Sequence, residues 1–132
     1  MNKSEDIQKI FEMNTIAVVG MSPKPERPSH YVPMYMKEKG YTIYPVNPRH
    51  REIAGLRCYP NLLVIPVDVD VVNVFRRPEH LLPIAKATIE ICAKALWLQD
   101  GVINEAAAQL AEEAGLMVVM NDCMLRQHRK LF

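Results

Sequence analysis

The chain has 132 residues, 49% hydrophobic and 23% charged, which is the profile of one ordinary globular domain rather than of a disordered segment. A net charge of +1 excludes a global field that would recruit nucleic acid or an acidic membrane surface, so any anion site must be local. Cys58, Cys92 and Cys123 are odd in number and lack CxxC spacing or neighbouring His pairs, which argues against a disulfide framework or a zinc site and for a reducing, cytoplasmic setting.

No signal-peptide core and no membrane-length apolar run is visible. Ser4 is positioned to cap a first helix over Glu5–Met13, with Ile7, Ile10 and Phe11 on one face. Thr15–Val19 is an apolar, β-branched run that stops at Gly20-Met21-Ser22. A strand ending in glycine before a helix is how an open α/β sheet presents a phosphate-binding turn, because glycine permits close backbone approach and the helix start favours an anion. The second and third glycines of a dinucleotide fingerprint are missing. A long proline-rich turn follows, and a helix starts at Ser29 or, given Pro33, nearer Val32, and is ended by Gly40.

Tyr41–Val46 is strand two, closed by Asn47-Pro48 and followed by Arg49-His50-Arg51. Residues 53–60 form an irregular connection, with a helical turn around Asn61–Val64. Val69–Phe75 is strand three, ended by Arg76-Arg77-Pro78. A helix over Leu82–Ala93 carries Ile84, Thr88, Ile91 and Cys92 on one side. Ala95–Gln99 is strand four and turns at Asp100-Gly101. Asn104 caps a helix to Ala114, with Ala107, Leu110, Ala111 and Ala114 inward, and Gly115 ends it. Leu116–Met120 is strand five, and Asn121–Phe132 holds a short terminal helix.

Strands alternating with helices predict a three-layer α/β fold around a doubly wound parallel sheet of about five strands, in the order 3-2-1-4-5. Ligands of such sheets bind outside the carboxyl ends of the strands. Four such ends are polar or turn-forming, and two bring arginines. A dinucleotide site would put an acid at the end of strand two, whereas here Arg49 and Arg51 follow Asn47-Pro48. Arg76, Arg77, Lys24 and Arg27 add to a charge that suits several phosphates, since the arginine fork bonds phosphate oxygens in pairs. An NADP-type ligand also satisfies this logic.

The residues Ile16–Ser22, Ser29, Gly40–Pro48, Ile53-Ala54-Gly55, Tyr59-Pro60, Val71–Arg76, Trp97–Gly101 and Asp122-Cys123 resemble the small stand-alone CoA-binding domain proteins. A similar domain occurs in succinyl-CoA synthetase α-subunits and ADP-forming acyl-CoA synthetases. The resemblance implies a single Rossmann-like domain over residues 1–132, with coenzyme A as its ligand. By the same resemblance Gly20, Met21 and Ser22 would line the diphosphate, with Ser29 beside them. Pro45, Val46 and Asn47 would flank the adenine or ribose, Phe75 and Arg76 would close the other side, and Gln99 and Gly101 would border the pantetheine path. Lys24 and Arg49 are added on charge alone. The phosphorylated histidine and ATP-grasp partner of the large synthetases have no room here, so the expected role is a non-catalytic module for CoA or an acyl-CoA.

No metal-ligand cluster or Ser-His-Asp order is present, and the four histidines are expected to be solvated. Cys123 and His128 offer one pair for a reactive thiol, against the burial usual for free cysteine. Two alternatives stand beside the binding module. One is an NAD(P)-dependent oxidoreductase or sensor, and the other a regulatory subunit lending a CoA site to an acyl-transfer partner. Met34, Tyr35 and Met36 serve either the core or a homodimer contact.

Overall fold

In chain order the elements are α1 (Ser4–Phe11), β1 (Thr15–Val19), α2 (Pro28–Glu38), β2 (Thr42–Val46), a hairpin of β3 (Glu52–Ile53) and β4 (Leu56–Arg57), a 3-10 turn (Leu62–Val64), β5 (Val71–Val74), a second 3-10 turn (Pro78–His80), α3 (Leu81–Glu90), β6 (Ala95–Leu98), α4 (Glu105–Glu113), β7 (Met117–Val119) and α5 (Met124–Leu131). The structure is a computed structural model and describes all 132 residues. No helix in it is long and apolar enough to cross a membrane.

The five long strands form one parallel sheet in the order β2-β1-β5-β6-β7. Alternation along each strand divides the core in two. Ala17, Val19, Val72, Val74, Leu96, Leu98 and Val118 face α3 and α4. Ile16, Val18, Ile43, Val71, Trp97 and Val119 face α1, α2 and α5. The period-2 geometry of a strand thus yields the expected three-layer, Rossmann-like α/β architecture.

The strand order departs from expectation. Counting only the five parallel strands, it is 2-1-3-4-5, because the third joins the free side of the first instead of the outer side of the second. The reason lies on the outer edge of β2, which Tyr59 occupies. Asn47 N–H donates to the Tyr59 carbonyl and Tyr59 N–H to the Pro45 carbonyl, each at 2.9 Å. With that edge covered, the chain crosses over and the switch point falls between β1 and β5. The far edge, on β7, is closed by Asn2, whose side chain bonds both the N–H and the carbonyl of Met120.

Local departures have local causes. Lys3, not Ser4, is the N-cap of α1, and no side chain caps it. The predicted irregular connection contains the β3–β4 hairpin, turned by Ala54 and Gly55 with φ of 53° and 77°. Alanine rarely takes the first left-handed position of such a turn, so the usual signal was absent. Cys92 is exposed at φ 59°, since α3 ends at Glu90. In α4 the third buried alanine is Ala108, not Ala114. Asn104 does cap α4, accepting from Ala107 N–H at 3.0 Å. Met36 is fully buried, which spends it on the core rather than on a contact between copies.

At the amino edge of the sheet, Asp70 accepts hydrogen bonds from the N–H groups of Asn14 and Thr15 at 3.1 and 3.2 Å. Burial alone would raise its carboxyl pKa. These donors, the Thr15 hydroxyl and the charge of Lys94 outweigh it and hold the pKa below the usual value. This clasp fixes where β1 begins, at the edge away from the site.

Candidate functional site

The register aligns Val46, Val19, Val74 and Leu98 at one level, so β2, β1, β5 and β6 all stop at the same edge. Three clefts lie side by side above it. The middle one, about 660 Å³, is floored by Gly20, Met21 and Ser22 and ringed by Lys24, Arg27, Arg49, Arg76 and Arg77, with no carboxylate in its lining. None of these five cations forms an ion pair with a carboxylate elsewhere in the chain. Unpaired positive charge gathered around one concavity favours a polyanion.

Backbone donors reinforce that charge. Arg27 is the N-cap of α2 and makes no side-chain cap, and Pro28 in the first turn has no N–H. The Ser29 N–H therefore has no acceptor in the chain. A helix start with a free donor, beside arginines, favours negative charge.

Pro33 contributes from inside α2, which begins at Pro28 rather than near Val32. A helical residue at position 33 would donate to the Ser29 carbonyl, and proline cannot. That carbonyl instead accepts from Ser22 N–H at 3.2 Å. The His30 ring also donates through Nδ1 to the Ser22 carbonyl at 2.8 Å, and Lys24 N–H bonds Ser22 Oγ at 3.1 Å. The turn after β1 is hung on α2, and the Ser22 N–H is spent on this suspension.

The second cleft is an apolar slot of about 290 Å³ between the ends of β1 and β2 and helix α3, walled by Val46, Pro48, Leu62, Pro83, Ile84 and Ala87. Arg76 borders both the slot and the middle cleft. Its side chain packs against Gly20: a Cβ there, at φ +86°, would lie 2.9 Å from Arg76 Cδ and 3.0 Å from the Phe75 carbonyl. Gly20 is thus demanded by packing against β5's exit, in addition to any approach of a ligand.

The third cleft, about 610 Å³, runs from Arg27, Ser29 and Phe75 to Arg126 and Arg129 of α5. Arg126 bonds Asp100 through two parallel contacts of 2.9 Å and also reaches Asp122 at 2.9 Å. The hydrogen bond from Arg126 holds the Asp100 carboxyl below its ordinary pKa. Gln99, 2% exposed, lines this cleft, yet its amide is committed. It donates to Asn73 Oδ1 at 2.6 Å and accepts from Met124 N–H at 3.3 Å.

A family profile described as the CoA binding domain matches residues 14–129. This chain belongs to that family of CoA-binding domains. It is 39% identical over 127 residues to the uncharacterized protein YneT of Bacillus subtilis, covering 96% of this chain and 94% of that one. It is 42% identical to a hypothetical protein from Pyrococcus horikoshii OT3, whose solved structure matches with a TM-score of 0.94 over 98% of this chain and 92% of the other. It is also 27% identical over 129 residues to the ADP-forming acetate–CoA ligase I of Archaeoglobus fulgidus, a match that takes in 89% of this chain but 19% of the ligase.

In this CoA-binding domain, Gly20, Met21, Ser22, Lys24, Ser29, Asn47, Arg49, Phe75 and Arg76 come together around the middle cleft. Met21 is fully buried, so it offers only main chain there. Asn47 is tied down, its Nδ2 donating to the Met21 carbonyl and its Oδ1 accepting from Arg49 N–H, each at 3.0 Å. Val46 lines the slot. Pro45 and Gly101 stand apart from all three clefts: Pro45 is buried within β2, and Gly101 N–H bonds Asn121.

Cys123 and His128 do not form a pair. Cys123 is half-buried at the start of α5 and lines the third cleft, its N–H on Asp122. A five-residue offset turns His128 to another face of a helix with 3.6 residues per turn. There the Tyr35 hydroxyl bonds its Nδ1 at 2.9 Å, and Phe11, Tyr41 and Phe132 surround it. His128 is therefore buried, not solvated, and desolvation with the nearby Lys39 charge lowers its pKa. The α5 residues of the third cleft escaped sequence reading. The only signal for them was the polar–apolar alternation of a short terminal helix.

Proposed function

We propose that this chain binds coenzyme A across the carboxyl ends of β1, β2 and β5 as a module without chemistry of its own. The adenine occupies the apolar slot, the phosphates lie against Lys24, Arg49 and Arg76, and the pantetheine runs past Phe75 and Gln99 into the third cleft. The observation that carries this reading is the ring of five carboxylate-free cations around the middle cleft, within a CoA-binding domain. A plain dinucleotide would be served by an acid at the end of β2, where Asn47-Pro48 stands. The separation of Cys123 from His128 supports a binding role over a thiol-based reaction.

Thermal denaturation with CoA, acetyl-CoA, dephospho-CoA, NAD and NADP tests this directly. A ligand at a hundred times its dissociation constant stabilises by about 2.7 kcal/mol. We expect CoA and acetyl-CoA to give that shift. A shift with NAD or NADP in their place overturns the reading in favour of a nicotinamide site. The likeness to one segment of an ADP-forming acetate–CoA ligase favours a second reading, in which the module lends its CoA site to a separate acyl-transfer partner. Co-purification of such a partner with the tagged chain, strengthened by CoA, is its test.

A further inference from the structure

We propose that Asn73 is a positioning residue for the pantetheine arm: it orients the Gln99 amide so that one Nε2 hydrogen is kept for an amide carbonyl of the arm. The inference rests on the CoA reading above. β5 is the middle strand of the sheet, and its other residues, Val71, Val72 and Val74, are fully buried and apolar, as the interior of a parallel sheet ordinarily is. Asn73 is also fully buried, between Val18 and Trp97 on the flanking strands. Its Nδ2 meets only the Met124 sulfur, at 4.0 Å. A donor so poorly matched costs stability that a valine would not, so what Asn73 contributes lies with its oxygen.

That oxygen accepts from Gln99 Nε2 at 2.6 Å. The orientation of both amides follows from the backbone. The Met124 N–H can only donate, so the Gln99 atom 3.3 Å from it is Oε1, Nε2 turns to Asn73, and Asn73 must present Oδ1. Two partners thus hold the Gln99 amide, yet they use one of its two Nε2 hydrogens. The other has no acceptor in the chain, although Gln99 is almost wholly buried and borders the third cleft. The pantetheine arm carries two amide carbonyls, and each loses water on entering a cleft walled in part by Val32, Phe75, Val102 and Leu125. A donor fixed in advance receives such a carbonyl without giving up rotamer freedom. Without Asn73, Gln99 keeps a single tether and its donor is no longer aimed.

The test is titration calorimetry with CoA and with adenosine 3′-phosphate 5′-diphosphate, which is CoA without the arm, on Asn73→Val, Gln99→Met and the double variant. Asn73→Val should weaken CoA roughly fivefold, equivalent to about 1 kcal/mol, and leave the armless nucleotide within about twofold. Gln99→Met should do the same. The double variant should lose no more than the worse single one, because both substitutions act through one hydrogen bond. The stability of Asn73→Val in urea should hold or rise. Unchanged CoA affinity in Asn73→Val overturns the inference, and so do additive losses in the double variant. Equal losses for the two ligands, or a marked loss of stability, overturn it by making Asn73 a structural residue. Failure of the unaltered protein to bind CoA overturns the underlying CoA reading instead.

Discussion

The middle and third clefts share a sheet edge and Arg27, and each adds arginines of its own, yet they handle positive charge differently. Around Gly20–Ser22 the five cations have no carboxylate partners. One helix away, Arg126 is fastened between Asp100 and Asp122. An arginine satisfied by its own chain holds structure together, while a group of unsatisfied ones is arranged for something that arrives. The comparison separates residues of one type by their partners, which composition and net charge cannot do.

Removing the unsatisfied charge should have the largest effect. Combined Arg49→Ala and Arg76→Ala substitution should weaken CoA by about a hundredfold, taking roughly tenfold for each charge-assisted contact. Calorimetry with dephospho-CoA sharpens the result: a smaller loss there assigns one arginine to the 3′-phosphate, and equal losses reject that assignment. Thermal stability without ligand should hold or rise, because unpaired like charges repel.

Gly20→Ala probes why Arg76 stands where it does. Positive φ and the close Phe75 carbonyl should cost about 1–3 kcal/mol in urea denaturation, with CoA affinity falling as Arg76 is displaced. Unchanged stability would mean the turn relaxes and Arg76 is not held by it.

His128 is buried between α1, α2 and α5, where its ring holds the Tyr35 hydroxyl. Its pKa is lowered in the folded chain, so the unfolded chain takes up a proton first as pH falls. The stability this contributes is complete above the unfolded value near 6.5 and is lost as pH drops through and below it. The melting temperature should decline from pH 7 to pH 5, and His128→Gln should flatten that slope. An unaltered slope in the variant assigns the decline to other groups.

The smallest effect belongs to the satisfied arginine. Asp100→Asn should change stability by less than about 1 kcal/mol, since the Asp100–Arg126 pair is more than half exposed on both sides. A loss of several kcal/mol would make the pair structural in a stronger sense than its exposure allows.

Much of this was legible in the residues. The alternation of strands and helices, the turn after Val19 and the Asn104 cap follow from period, glycine and side-chain donors. Strand order was not, because the outer edge of β2 is closed by Tyr59, which returns to that strand only after the β3–β4 hairpin. The arginines of the middle cleft were found because they follow strand ends. Arg126 and Arg129 were not, because a helix returning over the sheet edge leaves no local mark of what it will face. His128 was misplaced for the same reason, as its aromatic surroundings come from α1, α2 and the chain terminus.

Pro33 has a consequence for how the molecule opens. The Ser22 amide is held by a carbonyl belonging to α2, one that a proline has withdrawn from the helical ladder. Exchange of that amide hydrogen with solvent therefore requires the first turns of α2 to separate from the loop. A single exchange rate, at a residue outside the helix, becomes a gauge of how often the binding edge of the sheet comes apart.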